Sequence, residues 1–327
     1  MPLTLTLSVE RWPIAGTFAI SRGAKTEAVV VVAELEDGKA RGRGECVPYG
    51  RYGETVDGVM AAIEALRPRL AAGLDRVALQ TALPAGAARN ALDCAFWDLE
   101  AKRAGRPVHE LAGLPAPHPV TTAFTISLGS AADMATAAAK AASRALLKVK
   151  LGAAGDAERI AAVRQAAPKA MLIVDANEGW DEAGLAANLA ACAQAGVALV
   201  EQPLPAGRDQ PLAALTRPLP ICADESVHGL ASLPSLAGRY DMVNVKLDKT
   251  GGLTEALAMA EAADRMGLGV MTGCMVATSL SMAPAMLLAQ RARFIDLDGP
   301  LLLAKDRADG LRFEASLVYP PTPALWG

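Results

Sequence analysis

The sequence is short of several residue types, and each shortage excludes a class of protein. Aromatic residues make up 4% of the 327 residues, while alanine is abundant, which favours closely packed helices over a β-sandwich. The net charge is −3, and no basic cluster indicates binding to nucleic acid. No run approaches the ~20 apolar residues of a transmembrane helix, and no signal-peptide pattern opens the chain, so we expect no association with a membrane.

Cysteine and histidine are also scarce. The five cysteines are odd in number and lack the spacing of metal ligands, which predicts a reduced, cytoplasmic setting rather than a disulfide framework. The three histidines, at positions 109, 118 and 228, lack metal-ligand spacing as well. A metal site in this chain is therefore expected to use other residue types.

The first third of the chain predicts a small α+β unit. Apolar or alternating runs indicate three strands, at 3–10, 28–36 and 40–46. Two helices are predicted, near 54–71 and 86–104. The stretch 14–26 has little periodicity and is predicted to be a loop. We assign residues 1–116 to this domain, completed by the C-terminal tail 305–327, which is predicted to return to it as a final strand or two.

From about residue 119 onward, apolar strands alternate with alanine-rich helices. Eight strands are predicted, near 120–127, 145–150, 171–175, 197–201, 219–224, 241–247, 268–273 and 293–297. The helices between them are predicted for example at 131–143, 156–167, 182–195 and 252–266. This alternation is typical of an α/β barrel of the TIM type, which we assign to residues 117–304. The alternative is a doubly wound open sheet, which the lack of a glycine-rich dinucleotide loop disfavours.

Charged residues stand at the carboxyl ends of several predicted strands, where barrel enzymes place their active sites. Three consecutive strands, the third to the fifth, end in carboxylates, at Asp175, Glu201 and Asp224. The flanking second and sixth strands end in lysines, at Lys148, Lys150 and Lys249. Taken singly, such an aspartate could cap a helix and such a lysine could extend to solvent. Together, the six residues predict a site at one end of the barrel.

This pattern predicts a particular chemistry. Three carboxylates that converge on one point repel each other unless a cation joins them, and oxygen-only ligands favour Mg²⁺, or Mn²⁺, over zinc. Because strands two and six lie on opposite sides of an eight-stranded barrel, Lys150 and Lys249 are predicted to face each other across the cavity. One lysine could remove the α-proton of a bound carboxylate and the other could return a proton to the opposite face, while the cation stabilises the enediolate. Lys148 is predicted to hold the substrate carboxylate in this racemase or epimerase reaction.

Five motifs, in their order along the chain, resemble those of the enolase superfamily, in particular its muconate-lactonizing-like subgroup. They are KVK at 148–150, DAN at 175–177, EQP at 201–203, ADES at 223–226 and KLDKTGG at 246–252. The resemblance covers essentially the whole chain. It implies a modified (β/α)7β barrel with an N-terminal α+β capping domain.

Within that subgroup, the chain looks most similar to dipeptide epimerases that interconvert L-Ala-D-Glu and L-Ala-L-Glu. The segment Asp296-Leu297-Asp298 matches the Asp-x-Asp pair that binds the α-ammonium group of the dipeptide in these enzymes. The two aspartates could instead cap the last turn. The resemblance implies a role in recycling or degrading murein peptides, and relatives of this kind are often homo-oligomers.

The same resemblance assigns the rest of the substrate site. Arg22 would meet the side-chain carboxylate of the substrate Glu, with Arg51 as the competing candidate. Thr125 and Cys274 would line the substrate, although ordinary barrel packing explains both residues equally well.

Three other interpretations of the function stay open. A lyase or cycloisomerase of the o-succinylbenzoate synthase or muconate type could use the same site, but its substrates carry no ammonium group to pair with Asp296 and Asp298. A degenerate barrel could bind a ligand without turning it over. A Schiff-base aldolase could use barrel lysines, but it has no need of three carboxylates.

Overall fold

The N-terminal domain contains a three-stranded antiparallel sheet, seen in a computed structural model that describes residues 3–327. Its strands are β1 (Thr4–Ile20), β2 (Gly23–Glu36) and β3 (Arg41–Cys46), in that order across the sheet. The prediction of a loop over 14–26 is wrong, because β1 and β2 continue to pair as far as Ile20 and Gly23. Most side chains of this hairpin are exposed or half-buried, so its sequence shows no alternation of buried and exposed positions.

Five helices follow this sheet in the chain, and the first four share an apolar core with it. They are α1 (Val56–Glu64), α2 (Arg67–Ala71), α3 (Arg76–Ala82), α4 (Ala87–Ala104) and α5 (Val108–Leu111). The helix predicted over 54–71 is divided in two, and Pro68 stands in the first turn of α2, where its missing N–H is tolerated. Gly42 and Gly44 let α4 approach β3 closely, since a Cβ at either position would lie about 2 Å from a carbonyl oxygen of α4.

The second domain is a parallel β/α barrel, as predicted. After a short strand β4 (Val120–Thr121), the eight barrel strands are β5 (Phe124–Ile126), β6 (Leu146–Lys150), β7 (Met171–Asp175), β8 (Val197–Glu201), β9 (Ile221–Ala223), β10 (Met242–Val245), β11 (Gly269–Thr272) and β12 (Phe294–Ile295). All neighbouring strands from β5 to β12 pair in parallel. A hydrogen bond of 2.8 Å from the Ala123 N–H to the Ile295 carbonyl joins the first strand to the last.

The helices of the barrel follow the strands. They are α6 (Ala131–Lys140), α7 (Asp156–Ala166), α8 (Glu182–Gln194), α9 (Leu247–Thr250), α10 (Leu253–Arg265), α11 (Ser279–Ala289) and α12 (Gly299–Leu302). Within residues 3–327, the four-residue α12 is the one helix that follows β12, in agreement with the (β/α)7β form. Two 3₁₀ segments, Gln210–Ala213 and Leu230–Leu236, precede β9 and β10.

The barrel interior is filled at its lower end. One apolar layer contains a residue from each barrel strand, or in the case of β5 the residue just before it. Its members are Ala123, Leu146, Ile173, Leu199, Cys222, Met242, Met271 and Phe294. This layer closes the amino-terminal end of the barrel. The charged side chains of the barrel interior gather above this layer, toward the carboxyl ends of the strands.

The C-terminal tail connects the two domains. Its strand β13 (Phe313–Glu314) pairs with β14 (Leu317–Val318), and β14 pairs in turn with β4, so that the three form a small antiparallel sheet. The final residues then reach α4, where the indole N–H of Trp326 donates to the carbonyl of Cys94 at 2.9 Å. The domain limits at 116/117 and 304/305 stay predictions. Among residues 3–327, no helix has both the length and the apolar character needed to cross a membrane.

Candidate active site

Three carboxylates meet at the carboxyl ends of neighbouring barrel strands. Asp175 is the last residue of β7, Glu201 the last of β8, and Asp224 follows β9. One oxygen of each lies within 4.8 Å of one oxygen of the others, and all three side chains are buried. This all-oxygen donor set fits a hard divalent cation such as Mg²⁺.

Lys148 and Lys150 reach this cluster from β6, on the same face of the strand as predicted. The ammonium nitrogen of Lys148 lies 2.6 Å from Oε2 of Glu201, 3.2 Å from Oδ2 of Asp175 and 2.7 Å from Oδ2 of Asp296. That of Lys150 lies 2.7 Å from Oδ2 of Asp175. Burial lowers the pKa of Lys148, but the three carboxylates outweigh burial and raise that pKa well above its usual value. Lys148 is thus held as a cation.

The carboxylates respond to these neighbours in different ways. Burial raises the pKa of Asp175, but Lys150 and Lys148 outweigh it, so the net pKa falls below the usual value. For Glu201, burial and the charge of Asp175 prevail and raise the pKa to about 7. A dense group of buried charges of both signs therefore occupies this end of the barrel.

The position of the second lysine differs from the prediction. Lys249 does not line the cavity above the barrel; its ammonium group is buried and donates to Oδ1 of Asp224 (2.6 Å) and to the carbonyls of Asp224 (2.7 Å) and Asn244 (2.9 Å). Lys246 lines the cavity instead, with its ammonium nitrogen 2.7 Å from Oδ2 of Asp224. The lysine that faces the cavity from the sixth strand is therefore Lys246.

The cause of this difference is the length of the sixth strand. The prediction extended it to residue 247, but β10 ends at Val245 and the chain turns directly into α9, which carries Lys249 away from the cavity. The alternation that places Lys148 and Lys150 on one face also places Asn244 and Lys246 on one face. The alternation of Asn244 and Lys246 was therefore a feature of the sequence that could have indicated Lys246 as the residue facing the cavity.

The pKa values of Lys246 and Lys249 are shifted in opposite directions. Burial lowers the pKa of Lys246, but Asp224 and Glu201 outweigh it and hold the pKa well above the usual value. Burial prevails at Lys249, where the pKa falls below the usual value despite the attraction of Asp224.

Four further predicted residues line the same cavity, namely Thr125, Cys274, Asp296 and Asp298. Oδ2 of Asp298 accepts a hydrogen bond of 2.6 Å from the backbone N–H of Thr125. Burial and the neighbouring Asp296 raise the pKa of Asp298 to about 7. Oδ1 of Asp296 is buried and has no hydrogen-bond partner among residues 3–327, so a free acceptor remains beside the cavity.

The cavity has a volume of about 730 Å³ and lies between the barrel mouth and the N-terminal domain. Arg22, at the turn between β1 and β2, and Arg51, in the 3₁₀ segment Gly50–Tyr52, both line it. Both also contact the barrel residue Glu178. The structure therefore brings both candidate arginines to the cavity mouth.

Two polar residues whose roles the sequence did not reveal support the carboxylates. Oε1 of Gln202 accepts hydrogen bonds from the backbone N–H groups of Asp224 (2.8 Å) and Ser226 (3.1 Å). The side-chain amide of Asn244 donates to Oε1 of Glu201 at 2.7 Å. Groups that orient the ligands of a metal in this way contribute strongly to its affinity.

Comparison with known proteins agrees with this geometry. The family model for the mandelate racemase / muconate lactonizing enzyme N-terminal domain matches residues 3–113, and the enolase C-terminal domain-like model matches residues 130–322. Together they span most of the chain. The chain belongs to the enolase superfamily.

Members of the enolase superfamily resemble this chain over nearly its whole length. The L-Ala-D/L-Glu epimerase of Escherichia coli (strain K12) is 50% identical over 97% of this chain and 99% of its own. The N-acetyl-D-glutamate racemase of Pseudoalteromonas sp. is 45% identical over 91% and 95%. A crystal structure of an enolase family member from Agrobacterium tumefaciens with homology to dipeptide epimerases, containing sodium and L-Ala-L-Glu, is 54% identical, covers 100% of both chains and has a TM-score of 0.98. The predicted superfamily, fold and enzyme class, an isomerase, are confirmed.

Proposed function

We propose that this enolase-superfamily protein is a dipeptide epimerase that interconverts L-Ala-D-Glu and L-Ala-L-Glu by a two-lysine proton transfer. The observation that carries the proposal is the placement of Lys150 and Lys246. Lys150 is the last residue of β6, and Lys246 directly follows β10. These two strands are four positions apart in the eight-stranded ring, so the two lysines lie on opposite sides of it. The carboxylates of the intervening strands lie between them.

The two ammonium groups approach the cavity from opposite directions. An α-carbon held between them exposes one face to Lys150 and the other to Lys246. In one direction of reaction, the neutral amine of one lysine takes the α-proton, and the ammonium group of the other donates a proton to the opposite face. The configuration inverts, and the reverse reaction exchanges the two roles.

Asp175, Glu201 and Asp224 would hold the cation, for which we propose Mg²⁺, with Mn²⁺ as the alternative. When bound, the cation supplies electrostatic stabilisation of the negative charge that develops on the substrate carboxylate. Lys148 is held as a cation beside these residues and would donate to the same carboxylate. The lysines would bind the substrate and move its protons.

The opposite ends of the dipeptide would meet groups of opposite charge. We assign the α-ammonium group to Asp296 and Asp298, because Oδ1 of Asp296 is a free buried acceptor. The side-chain carboxylate of Glu would meet the arginines at the cavity mouth. Thr125 and Cys274 would line the path between the two ends.

The cellular role is a further part of the proposal. The five cysteines are all unpaired, which supports a reducing compartment, and we place the protein in the cytoplasm. There it would act in recycling or degrading murein peptides. Whether it assembles into a homo-oligomer stays a prediction.

Turnover in D₂O tests the proposal. The protein, freed of metal with EDTA and reloaded with Mg²⁺, is incubated with L-Ala-L-Glu, and NMR follows both the α-deuterium content and the diastereomer ratio. We expect deuterium at the Glu α-carbon in both diastereomers, and activity only after reloading. Retention of the α-proton throughout would refute the proposal.

N-acetyl-L-glutamate, tested in parallel, addresses the second candidate suggested by the racemase of Pseudoalteromonas. It shares the glutamyl part of the dipeptide but has no ammonium group for the two aspartates. Faster exchange of N-acetyl-L-glutamate than of the dipeptide would favour a racemase of N-acyl amino acids.

A further inference from the structure

Glu178 is an acidic residue of the barrel that makes four hydrogen bonds at the cavity mouth. It lies in the loop after β7, and only 7% of its side chain is exposed. Oε1 accepts from the backbone N–H of Ala206 (2.8 Å) and from Nη2 of Arg51 (2.7 Å). Oε2 accepts from Nε of Arg51 (2.8 Å) and from Nη1 of Arg22 (3.1 Å).

The backbone around Glu178 has an unusual conformation. Asn177 and Glu178 have φ angles of 45° and 66°, in the left-handed region that residues other than glycine seldom adopt. Such strain persists only where the surroundings maintain it, and it concentrates at functional sites. Here the surroundings include Arg22, whose Nη1 donates to the Asn177 carbonyl at 2.6 Å.

The two arginines come from different loops of the N-terminal domain, and like charges would drive them apart. Glu178 binds both, and it forms a two-bond fork with Arg51. This fork uses the Nε and Nη2 atoms of Arg51. Within residues 3–327, Nη1 of Arg51 donates no hydrogen bond, and it remains available at the cavity mouth.

Arg22 has fewer free donors. Its Nη2 donates to Oε1 of Glu225 (2.6 Å) and to the hydroxyl of Tyr49 (3.3 Å), in addition to the two bonds of Nη1. Both arginines are thus already fixed by protein partners before any ligand binds. An incoming carboxylate then meets guanidinium groups whose side-chain freedom has already been lost.

We propose that Glu178 is a positioning residue that determines the preference for an acidic side chain in the substrate, by holding Arg51 and Arg22 together at the cavity mouth. The inference rests on the proposed function, because it concerns the side chain of the residue that is epimerised. Glu178 does not touch the reacting carbon in this scheme. It acts through the two arginines.

A pair of matched dipeptides tests this role. L-Ala-L-Gln has nearly the same shape as L-Ala-L-Glu but lacks the side-chain charge. For Glu178→Gln we expect KM for L-Ala-L-Glu to rise about tenfold with kcat changed less than about threefold, and KM for L-Ala-L-Gln to stay at the wild-type value. Arg51→Met should change KM in the same direction. Glu110→Gln, which removes an exposed carboxylate paired with Arg106 far from the cavity, is the control.

The binding of both dipeptides to wild-type protein and to Glu178→Gln is also measured by calorimetry, which requires no turnover. The role of Glu178 would be overturned if the variant lost affinity equally for both dipeptides, if it lost affinity for neither, or if it bound L-Ala-L-Glu more tightly than the wild-type protein does. A wild-type protein that epimerises both dipeptides equally well overturns this inference but leaves the proposed epimerisation intact. If the wild-type protein epimerises neither dipeptide, the proposed function fails, and the calorimetric difference alone decides the inference.

Discussion

Lys246 and Lys249 bind the two oxygens of one carboxylate, that of Asp224, from different environments. Nζ of Lys246 lies 2.7 Å from Oδ2 and borders the cavity, whereas Nζ of Lys249 lies 2.6 Å from Oδ1 and is buried. Lys249 also donates to two backbone carbonyls, so its three N–H groups are all used. Lys246 thus lines the cavity, whereas all three N–H groups of Lys249 are bound to protein atoms.

Replacing either proposed base should abolish inversion at the α-carbon of the substrate while leaving exchange of its α-proton with solvent in one diastereomer. In Lys246→Met and in Lys150→Met, epimerisation should fall by about 10³-fold or more, because one face of the α-carbon no longer has a proton donor or acceptor. Each variant should still exchange the α-proton of one diastereomer, and the two variants should differ in which one. NMR in D₂O measures both quantities. Exchange of both diastereomers in either variant would contradict the two-lysine scheme.

Lys249→Met should behave differently. It leaves Asp224 without one of its two cationic partners, so we expect a loss of about 3 kcal/mol in the free energy of unfolding and a Mg²⁺ affinity weaker by about tenfold. Urea unfolding and calorimetric titration with Mg²⁺ provide the measurements, with Glu110→Gln, which changes an exposed carboxylate outside the site, as the control. If Lys249→Met bound Mg²⁺ normally and showed one-sided exchange, Lys249 would be the base.

The two aspartates after β12 should distinguish substrates with and without an ammonium group. Asp296→Asn and Asp298→Asn should each lower kcat/KM for L-Ala-L-Glu by about 100-fold, because each removes a charge that pairs with the α-ammonium group. Turnover of N-acetyl-L-glutamate, where the wild-type protein shows any, should fall much less. Equal losses on both compounds would show that the aspartates act on the lysines or the cation and not on the ammonium group.

Asp248 should make stability depend on pH. Its Oδ1 accepts hydrogen bonds from the Val47 N–H (3.0 Å) and the Asn90 amide (2.8 Å), but burial outweighs them and raises the pKa of Asp248 to about 7. The folded protein therefore retains a proton between about pH 4 and 7 that the unfolded chain releases, and stability falls as the pH rises through that range.

Asp248→Asn keeps the acceptor oxygen and removes the titration. Relative to the wild-type protein, its free energy of unfolding should increase by about 3 kcal/mol between pH 5 and pH 8. Urea unfolding at both pH values measures this difference. If the variant and the wild-type protein differed in free energy of unfolding by the same amount at both pH values, Asp248 would have the same pKa in the folded protein as in the unfolded chain.

The barrel could be predicted well because its strands are buried on both faces and appear as separate apolar runs. The ends of those runs locate Asp175, Glu201 and Asp224 directly. The hairpin that carries Arg22 could not be predicted in this way, since backbone pairing forms it and its exposed side chains leave no periodic signal. A boundary error of two residues at β10 was enough to place Lys249 rather than Lys246 at the cavity in the prediction.

The sequence by itself determined the order of strands and the three carboxylates at their ends, because local periodicity and strand direction decide both. The tertiary structure decided which lysine of the 246–249 segment faces the cavity, because the chain leaves β10 for α9 at a point set by packing. It also decided that Glu178 joins Arg22 and Arg51, residues more than 120 positions away in the chain. Only the closure of the barrel under the N-terminal domain brings groups so distant in sequence into contact.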